Sequence, residues 1–103
     1  MKANSNTTGK RKPMDFDTAM AFAGEAFESR HPRETWPEWL RRCTVVGCTK
    51  DGNGRIVVSM SVTPKATKEP VSYFEAAVDQ YSAETTVLRD DDFSKFKADD
   101  LHE

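Results

Sequence analysis

Residues 41–63 constrain the fold of this chain more than any other segment, because they contain two β-branched runs separated by a turn. The turn is residues 51–54, Asp-Gly-Asn-Gly, and the second run is residues 55–62, Arg-Ile-Val-Val-Ser-Met-Ser-Val. A glycine-rich tetrapeptide between two such runs predicts a β-hairpin. Apolar and polar side chains alternate in the second run, so another element must cover its apolar face. The opposite face is predicted to carry Val57, Ser59, Ser61 and Thr63.

The composition indicates one small domain with polar margins. The chain has 103 residues, of which 37% are hydrophobic and 31% are charged, and its mean hydropathy is −0.71. A chain of this length fits a single domain. We predict a disordered basic tail at residues 1–13, a single α+β domain at residues 14–89, and an acidic tail or short docking helix at residues 90–103.

The cellular location is predicted from hydropathy and from the cysteines. No apolar run approaches the roughly 20 residues that span a bilayer, and residues 1–13 lack the apolar stretch of a secretory signal. Cys43 and Cys48 are expected on one strand, about 16 Å apart at the usual strand rise. A disulfide needs Cα atoms within about 7 Å. Two free thiols agree with a reducing compartment, so we expect a cytoplasmic protein without a membrane partner.

A helix is predicted to open the domain. Asp15 is a favourable N-cap, and the helix should end at His31 because Pro32 pushes the residue before it out of the helical region. Apolar residues recur between them at helical spacing. The large side chains expected in the core are Phe16, Met20 and Phe27, with Trp36 and Trp39 packing from a short helical turn that follows.

Residues 71–88 allow two interpretations. As a helix, Ser72 and Glu75 form a capping box, and Phe74, Val78 and Tyr81 fall on one face. As strands, residues 71–79 alternate between two faces, and a turn at residues 80–83 leads into a last β-branched run. Local signals favour neither interpretation.

A resemblance favours the strands. Residues 73–88, Tyr-Phe-Glu-Ala-Ala-Val-Asp-Gln-Tyr-Ser-Ala-Glu-Thr-Thr-Val-Leu, resemble the closing hairpin of PepSY-like and related cystatin-like domains, and the Ala19-x-x-x-Ala23 pattern is similar to their first helix. The resemblance implies an inhibitory or regulatory protein as partner. Ala83 stands where these domains usually have Gly, and a turn with positive φ would be strained there.

The predicted architecture is therefore α+β, with one N-terminal helix packed on a four-stranded antiparallel sheet made of two consecutive hairpins, as in cystatin-like folds. One helix covers one face of such a sheet and leaves the other face open. Tyr73 and Glu75 are expected on the open face beside the outer residues of the first hairpin. Phe93 and Phe96, near the C-terminus, belong either to a frayed tail or to a short helix that docks on the body or on another protein.

The sequence contains no pattern typical of catalysis. The glycines of residues 51–54 lack the Lys-Ser/Thr and helix of a phosphate-binding loop, and His31 and His102 have no partners at metal-ligand spacing. Glu75 and Asp79 would lie about 13 Å apart on a strand, too far for one acid–base site. We therefore expect no enzyme, no catalytic residue, no metal and no cofactor.

Nucleic acid is not an expected partner either. The basic cluster at residues 10–12 is short, and the order helix, three strands, helix of a double-stranded RNA-binding domain would need a basic start to its last helix. Residues 90–92 are instead three aspartates.

We predict a non-catalytic binding or regulatory module that acts through an open sheet face or an edge strand. An exposed edge also allows a homodimer. The alternative is a small-ligand or catalytic pocket protein of nuclear-transport-factor-2-like type, in which sheet and helix enclose a cavity. The polar or aromatic residues available for such a pocket are Cys43, Cys48, Tyr73 and Trp39.

Overall fold

The structure is a computed structural model that describes residues 12–103; the predicted basic tail lies almost entirely outside the described residues. It contains helix α1 at Phe16–Arg30 and the short helix α2 at Trp39–Cys43. Four strands follow, β1 at Val45–Lys50, β2 at Arg55–Val62, β3 at Val71–Asp79 and β4 at Thr85–Asp90. Short 3-10 turns occupy Arg33–Thr35, Phe93–Lys95 and Ala98–Asp100.

The strands form one antiparallel sheet in the order β1-β2-β3-β4, and α1 packs on one of its faces. The predicted α+β class is confirmed, as are the two hairpins. Val71–Asp79 is a strand, so the helical interpretation of this segment is wrong. Among residues 12–103, no helix combines the length and the apolar composition that crossing a bilayer requires.

Helix α1 begins and ends where local signals place it. The Asp15 carboxylate accepts a hydrogen bond from the Thr18 N–H at 2.8 Å, and His31 follows the last helical residue. Ala19, Ala23 and Phe27 are buried against the sheet, because alanines allow the helix to approach closely. The expectation that Phe16 lies in the core is wrong. It belongs to the first turn and remains 42% exposed.

A β-bulge in β3 corrects the predicted position of Tyr73. Met60 lies opposite Phe74, whereas the next residue, Ser61, lies opposite Ser72, so Tyr73 has no partner in β2. An extra residue of this kind breaks the strict alternation of a strand. Tyr73 and Phe74 therefore both pack on the helix side, with ring centroids 6.1 Å and 5.0 Å from the Phe27 ring. Tyr73 is fully buried and does not lie on the open face.

The segment after β4 packs back on the body. Phe93 is 8% exposed, with its ring centroid 5.8 Å from that of Phe27. The Phe96 ring lies 6.1 Å from the Trp39 ring at a right angle, and Leu101 forms an isolated β-bridge with Pro64. The C-terminal residues therefore complete the hydrophobic core on the same side of the sheet as α1, beside the rings of Phe27 and Trp39.

The connection between α1 and β1 also differs from the sequence-based expectation. Cys43 ends α2, where it is buried, and only Cys48 lies in a strand. The two thiols are free, but their predicted position on one strand is wrong. The residues from Trp39 to Cys43 form a helix because the Trp39 ring and Leu40 are buried in the core. This packing outweighs the strand propensity of the β-branched run that follows.

Candidate functional site

The space between α1 and the sheet is filled by aromatic side chains. The Phe27 ring lies at the centre of the cluster and contacts the rings of Phe74, Tyr73 and Phe93. Trp39 packs edge-on against Tyr73 with centroids 6.3 Å apart. Edge-to-face pairs at these distances are favourable beyond the area they bury. Cys43, Tyr73 and Trp39, the buried residues named for a pocket, are therefore parts of this packed cluster.

Tyr73 is the ionisable group most deeply enclosed in that cluster. Its Oη lies 2.7 Å from Oγ1 of Thr44 in a hydrogen bond. Burial raises the pKa of the Tyr73 phenol, and the bond to Thr44 opposes this effect without cancelling it. The phenol is thus neutral and hydrogen-bonded at neutral pH, which suits a structural side chain.

The outer face of the sheet is small and hydroxyl-rich. Val57, Ser59 and Ser61 are half-buried on β2, and Thr63 is half-buried just beyond the end of that strand. Glu75 of β3 lies opposite Ser59 of β2. It forms a cross-strand ion pair with Arg89, in which the Arg89 Nε lies 3.6 Å from the Glu75 Oε2. The register thus brings Val57, Ser59, Ser61 and Glu75 together on one surface.

Strand β4 is a guarded edge of the sheet. Glu75 lies opposite Arg89, but Ala76 lies opposite Val87, which leaves Leu88 in a bulge without a partner. Asp90, at the end of β4, accepts hydrogen bonds from Arg30 at 3.1 Å and pairs with His31 at 2.8 Å. Bulges and charged side chains on an edge strand are features that oppose pairing with another strand.

Strand β1 is the other edge, and it has no bulge and a single charged residue, Lys50, at its end. Its six residues pair with β2 in an unbroken register, and its first five residues are uncharged. Val45 and Val46 are 62% and 44% exposed. A regular edge strand with exposed valines and only one charge, at its end, is open to pairing with a further strand.

The hydrogen-bond pattern identifies which β1 groups face outward. The Asp51 N–H donates to the Arg55 carbonyl at 3.1 Å across the turn. Residues that bond to the partner strand alternate in an antiparallel pair, so the backbone groups of Thr49 and Gly47 face β2. Those of Val46 and Cys48 point away from the sheet. The 2.9 Å bond from the Gln80 N–H to the Gly54 carbonyl fits the same alternation on the β3 side.

The turn between β1 and β2 is held by the carboxylate of Asp51. It accepts hydrogen bonds from the Asn53 N–H at 2.8 Å and from the Arg55 side chain at 2.8 Å. These bonds hold the pKa of Asp51 below its usual value, the Asn53 bond having the largest effect. Asp79 plays the same part in the β3–β4 turn through the N–H groups of Tyr81 and Ser82, which also lower its pKa. The open edge strand is therefore anchored to a well-defined hairpin.

The described residues give little support to reactive chemistry. Burial raises the pKa of the Cys48 thiol, and a protonated thiol is a poor nucleophile. Within residues 12–103, no three His, Cys, Asp or Glu side chains converge as a metal site would require. Among the predicted binding residues near the C-terminus, Phe93 is buried, whereas Phe96 is half-buried and lines a surface groove.

The sequence-based prediction missed Val45 and Val46 as surface residues of interest. Their signal is the uncharged β-branched start of the hairpin. Comparison of the chain with protein-family models, curated proteins and solved structures finds no match. The class of the protein is thus defined by its fold, an α+β sheet with one open face and one open edge.

Proposed function

We propose that the protein is a non-catalytic binding module that captures an extended segment of a partner protein on the free edge of β1. The observation that carries this proposal is the regular, exposed edge of β1, with the backbone groups of Val46 and Cys48 directed away from β2. Strand addition of this kind obtains its affinity from main-chain hydrogen bonds and its specificity from alternate side chains.

The side chains around β1 supply two surfaces for the added strand. On the outer face, Val45 lies beside the hydroxyls of Ser59 and Ser61. On the inner face, α1 lies mainly over β3 and leaves Val46 partly uncovered. An added strand with alternating apolar residues would therefore bury valine surface on both sides. The packed aromatic interior supports this mode of binding over a pocket between helix and sheet.

The resemblance to PepSY-like and cystatin-like domains adds a proposal about the partner. If this chain shares the function that the resemblance implies, the captured segment belongs to a protein whose activity is inhibited or regulated by the contact. The hairpin at residues 73–88, which carries most of the resemblance, lies in strands that do not pair with β1, so the resemblance and the choice of the binding edge depend on different strands.

The experiment that tests the proposal compares proline substitutions on the two edges of the sheet. Val46→Pro removes an outward N–H of β1, while Leu88→Pro places the same residue at the β4 bulge. The full chain and both variants are immobilised, and proteins captured from a native lysate are quantified by mass spectrometry. Circular dichroism and a melting curve first establish that both variants fold.

We expect a set of proteins that binds the unchanged chain and Leu88→Pro but is lost with Val46→Pro. The same set retained by both variants would contradict binding at β1. A concentration-dependent dimer, measured by light scattering and abolished by Val46→Pro, would instead assign the edge to a second copy of this chain and overturn the proposal of a different partner protein.

A further inference from the structure

A surface groove of about 570 Å³ lies between the loop after β2 and the C-terminal segment. Residues 64–66 form one wall, residues 95–97 form the other, and Asp100 and Leu101 close it. Ligand sites commonly have volumes of about 300–1,000 Å³. The groove is distinct from the β1 edge, whose residues do not line it.

Backbone contacts hold the walls of the groove together. The Lys65 N–H donates to the Asp100 carbonyl at 2.8 Å, and the His102 N–H donates to the Thr63 carbonyl at 2.9 Å. The Phe96 ring packs against the Trp39 ring, and Leu101 is buried. The two walls of the groove are thus joined by backbone hydrogen bonds and by packing against the core.

The charges that line the groove differ from those of the rest of the body. The chain has net charge −2, and residues 1–13 carry four basic and no acidic side chains, so residues 14–103 carry −6. The groove nevertheless presents three lysines, Lys65, Lys95 and Lys97, against one acidic residue, Asp100. A cluster of like charges on a body of opposite sign attracts an anionic ligand.

None of these lysines forms an ion pair in the described part of the chain, although the pKa of the nearby Asp92 carboxylate is lowered by its Ser94 hydrogen bonds and, to a smaller extent, by the Lys95 charge. Every ion pair within residues 12–103 has an arginine or His31 as its cation. The Lys95 amine lies 5.4 Å from the centre of the Phe96 ring, a cation–π distance that leaves its charge available. The groove therefore combines unpaired positive charge with an aromatic and aliphatic floor.

We propose that this groove binds an acidic peptide segment that carries an apolar side chain. Its carboxylates would approach Lys65, Lys95 and Lys97, and its apolar side chain would pack on Phe96 and Leu101. A bare phosphate would satisfy the lysines but would leave the apolar floor in water, which makes the peptide the better match.

The test is fluorescence anisotropy of a short labelled peptide of Asp and Glu with a central Leu, titrated with the full chain. Lys95→Glu and Lys97→Glu reverse charges at the groove, and Lys50→Glu reverses one on β1 as the matched control. We expect about tenfold weaker binding for each groove variant and about twofold or less for Lys50→Glu. Replacing the central Leu of the peptide by Ser should also weaken binding.

Two competitors distinguish other anions. Inorganic phosphate and a single-stranded oligonucleotide are added separately to the preformed complex. Each is compared with an unlabelled copy of the peptide. If phosphate or the oligonucleotide displaces the labelled peptide at a concentration at which the unlabelled peptide fails to compete, the assignment to a peptide is overturned. Equal loss of affinity in Lys50→Glu and Lys95→Glu, or no binding of the peptide at all, would overturn the groove as the site.

Discussion

The hydroxyl groups of Tyr73 and Thr44 lie 2.7 Å apart and join the central strand β3 to the residue that connects α2 with β1. The bond is made possible by the bulge that turns Tyr73 toward the helix. The start of the open edge strand is therefore fixed from inside the core, by a side chain that strict alternation would place on the opposite face.

Substituting Tyr73→Phe should remove this bond while keeping the aromatic packing. We expect the free energy of unfolding at pH 7 to fall by about 1 kcal/mol, since one buried hydrogen bond is lost. Chemical denaturation of the variant and the unchanged chain gives this value directly.

The same pair of proteins should differ in alkali. Because the pKa of Tyr73 is raised in the folded state, the unfolded chain loses the phenol proton first, and stability falls as the pH rises above about 10. Tyr73→Phe lacks this contribution, so its stability should decline less steeply there. Parallel declines of the two proteins with pH would contradict the burial of the phenol.

Ala83→Gly should stabilise the protein. Ala83 has φ 67°, a left-handed conformation that costs an alanine about 1 kcal/mol and costs glycine almost nothing. Part of the gain is offset by the greater freedom of glycine in the unfolded chain, which leaves roughly 0.5 kcal/mol. The matched control is Ala21→Gly in the exposed part of α1, which should destabilise by about 1 kcal/mol. Melting curves of the two variants should therefore shift in opposite directions.

Proline substitutions test the hydrogen-bond pattern of β1. Val46→Pro removes an N–H that points away from β2 and should cost about 1 kcal/mol or less. Gly47→Pro removes an N–H that bonds to β2 and should cost roughly 3 kcal/mol. Gly47→Ala serves as the control, because an added Cβ would meet only Ser59 Oγ at 3.5 Å, an ordinary contact. Equal losses in the two proline variants would contradict the pattern.

Phe93→Ala should destabilise the protein by about 3 kcal/mol, since it empties a buried aromatic site in contact with Phe27. Phe16→Ala is the same substitution at an exposed position and should change the stability by less than about 1 kcal/mol. Urea denaturation measures both. Similar values for the two would mean that the C-terminal segment does not belong to the core.

The elements that could be predicted from the sequence are those fixed by local chemistry. The glycine-rich turn, the Asp15 cap and the helix end before Pro32 each depend on a few neighbouring residues, and each is present in the structure. The role of Asp79 in its turn follows from the same kind of short-range hydrogen bonding.

The features that could not be predicted depend on pairing between distant segments. The bulge at Tyr73 arises from the register of β3 against β2, which alternation within one strand does not reveal. The difference between the edge strands β1 and β4 depends on the second bulge, at Leu88, which appears only in the pairing of β4 with β3. The lysine groove depends on the bridge between Pro64 and Leu101. Short-range sequence patterns do not predict surface sites that are formed by residues far apart in the chain.

The binding edge is tested most directly by amide hydrogen exchange of β1, measured by NMR in the free protein and in complex with a captured partner. We predict fast exchange of the Val46 and Cys48 amides in the free protein, slow exchange of those of Gly47 and Thr49, and strong protection of the first pair on binding. Exchange at Val46 and Cys48 that is already slow in the free monomer, or that is unchanged in the complex, would contradict capture of a strand at this edge.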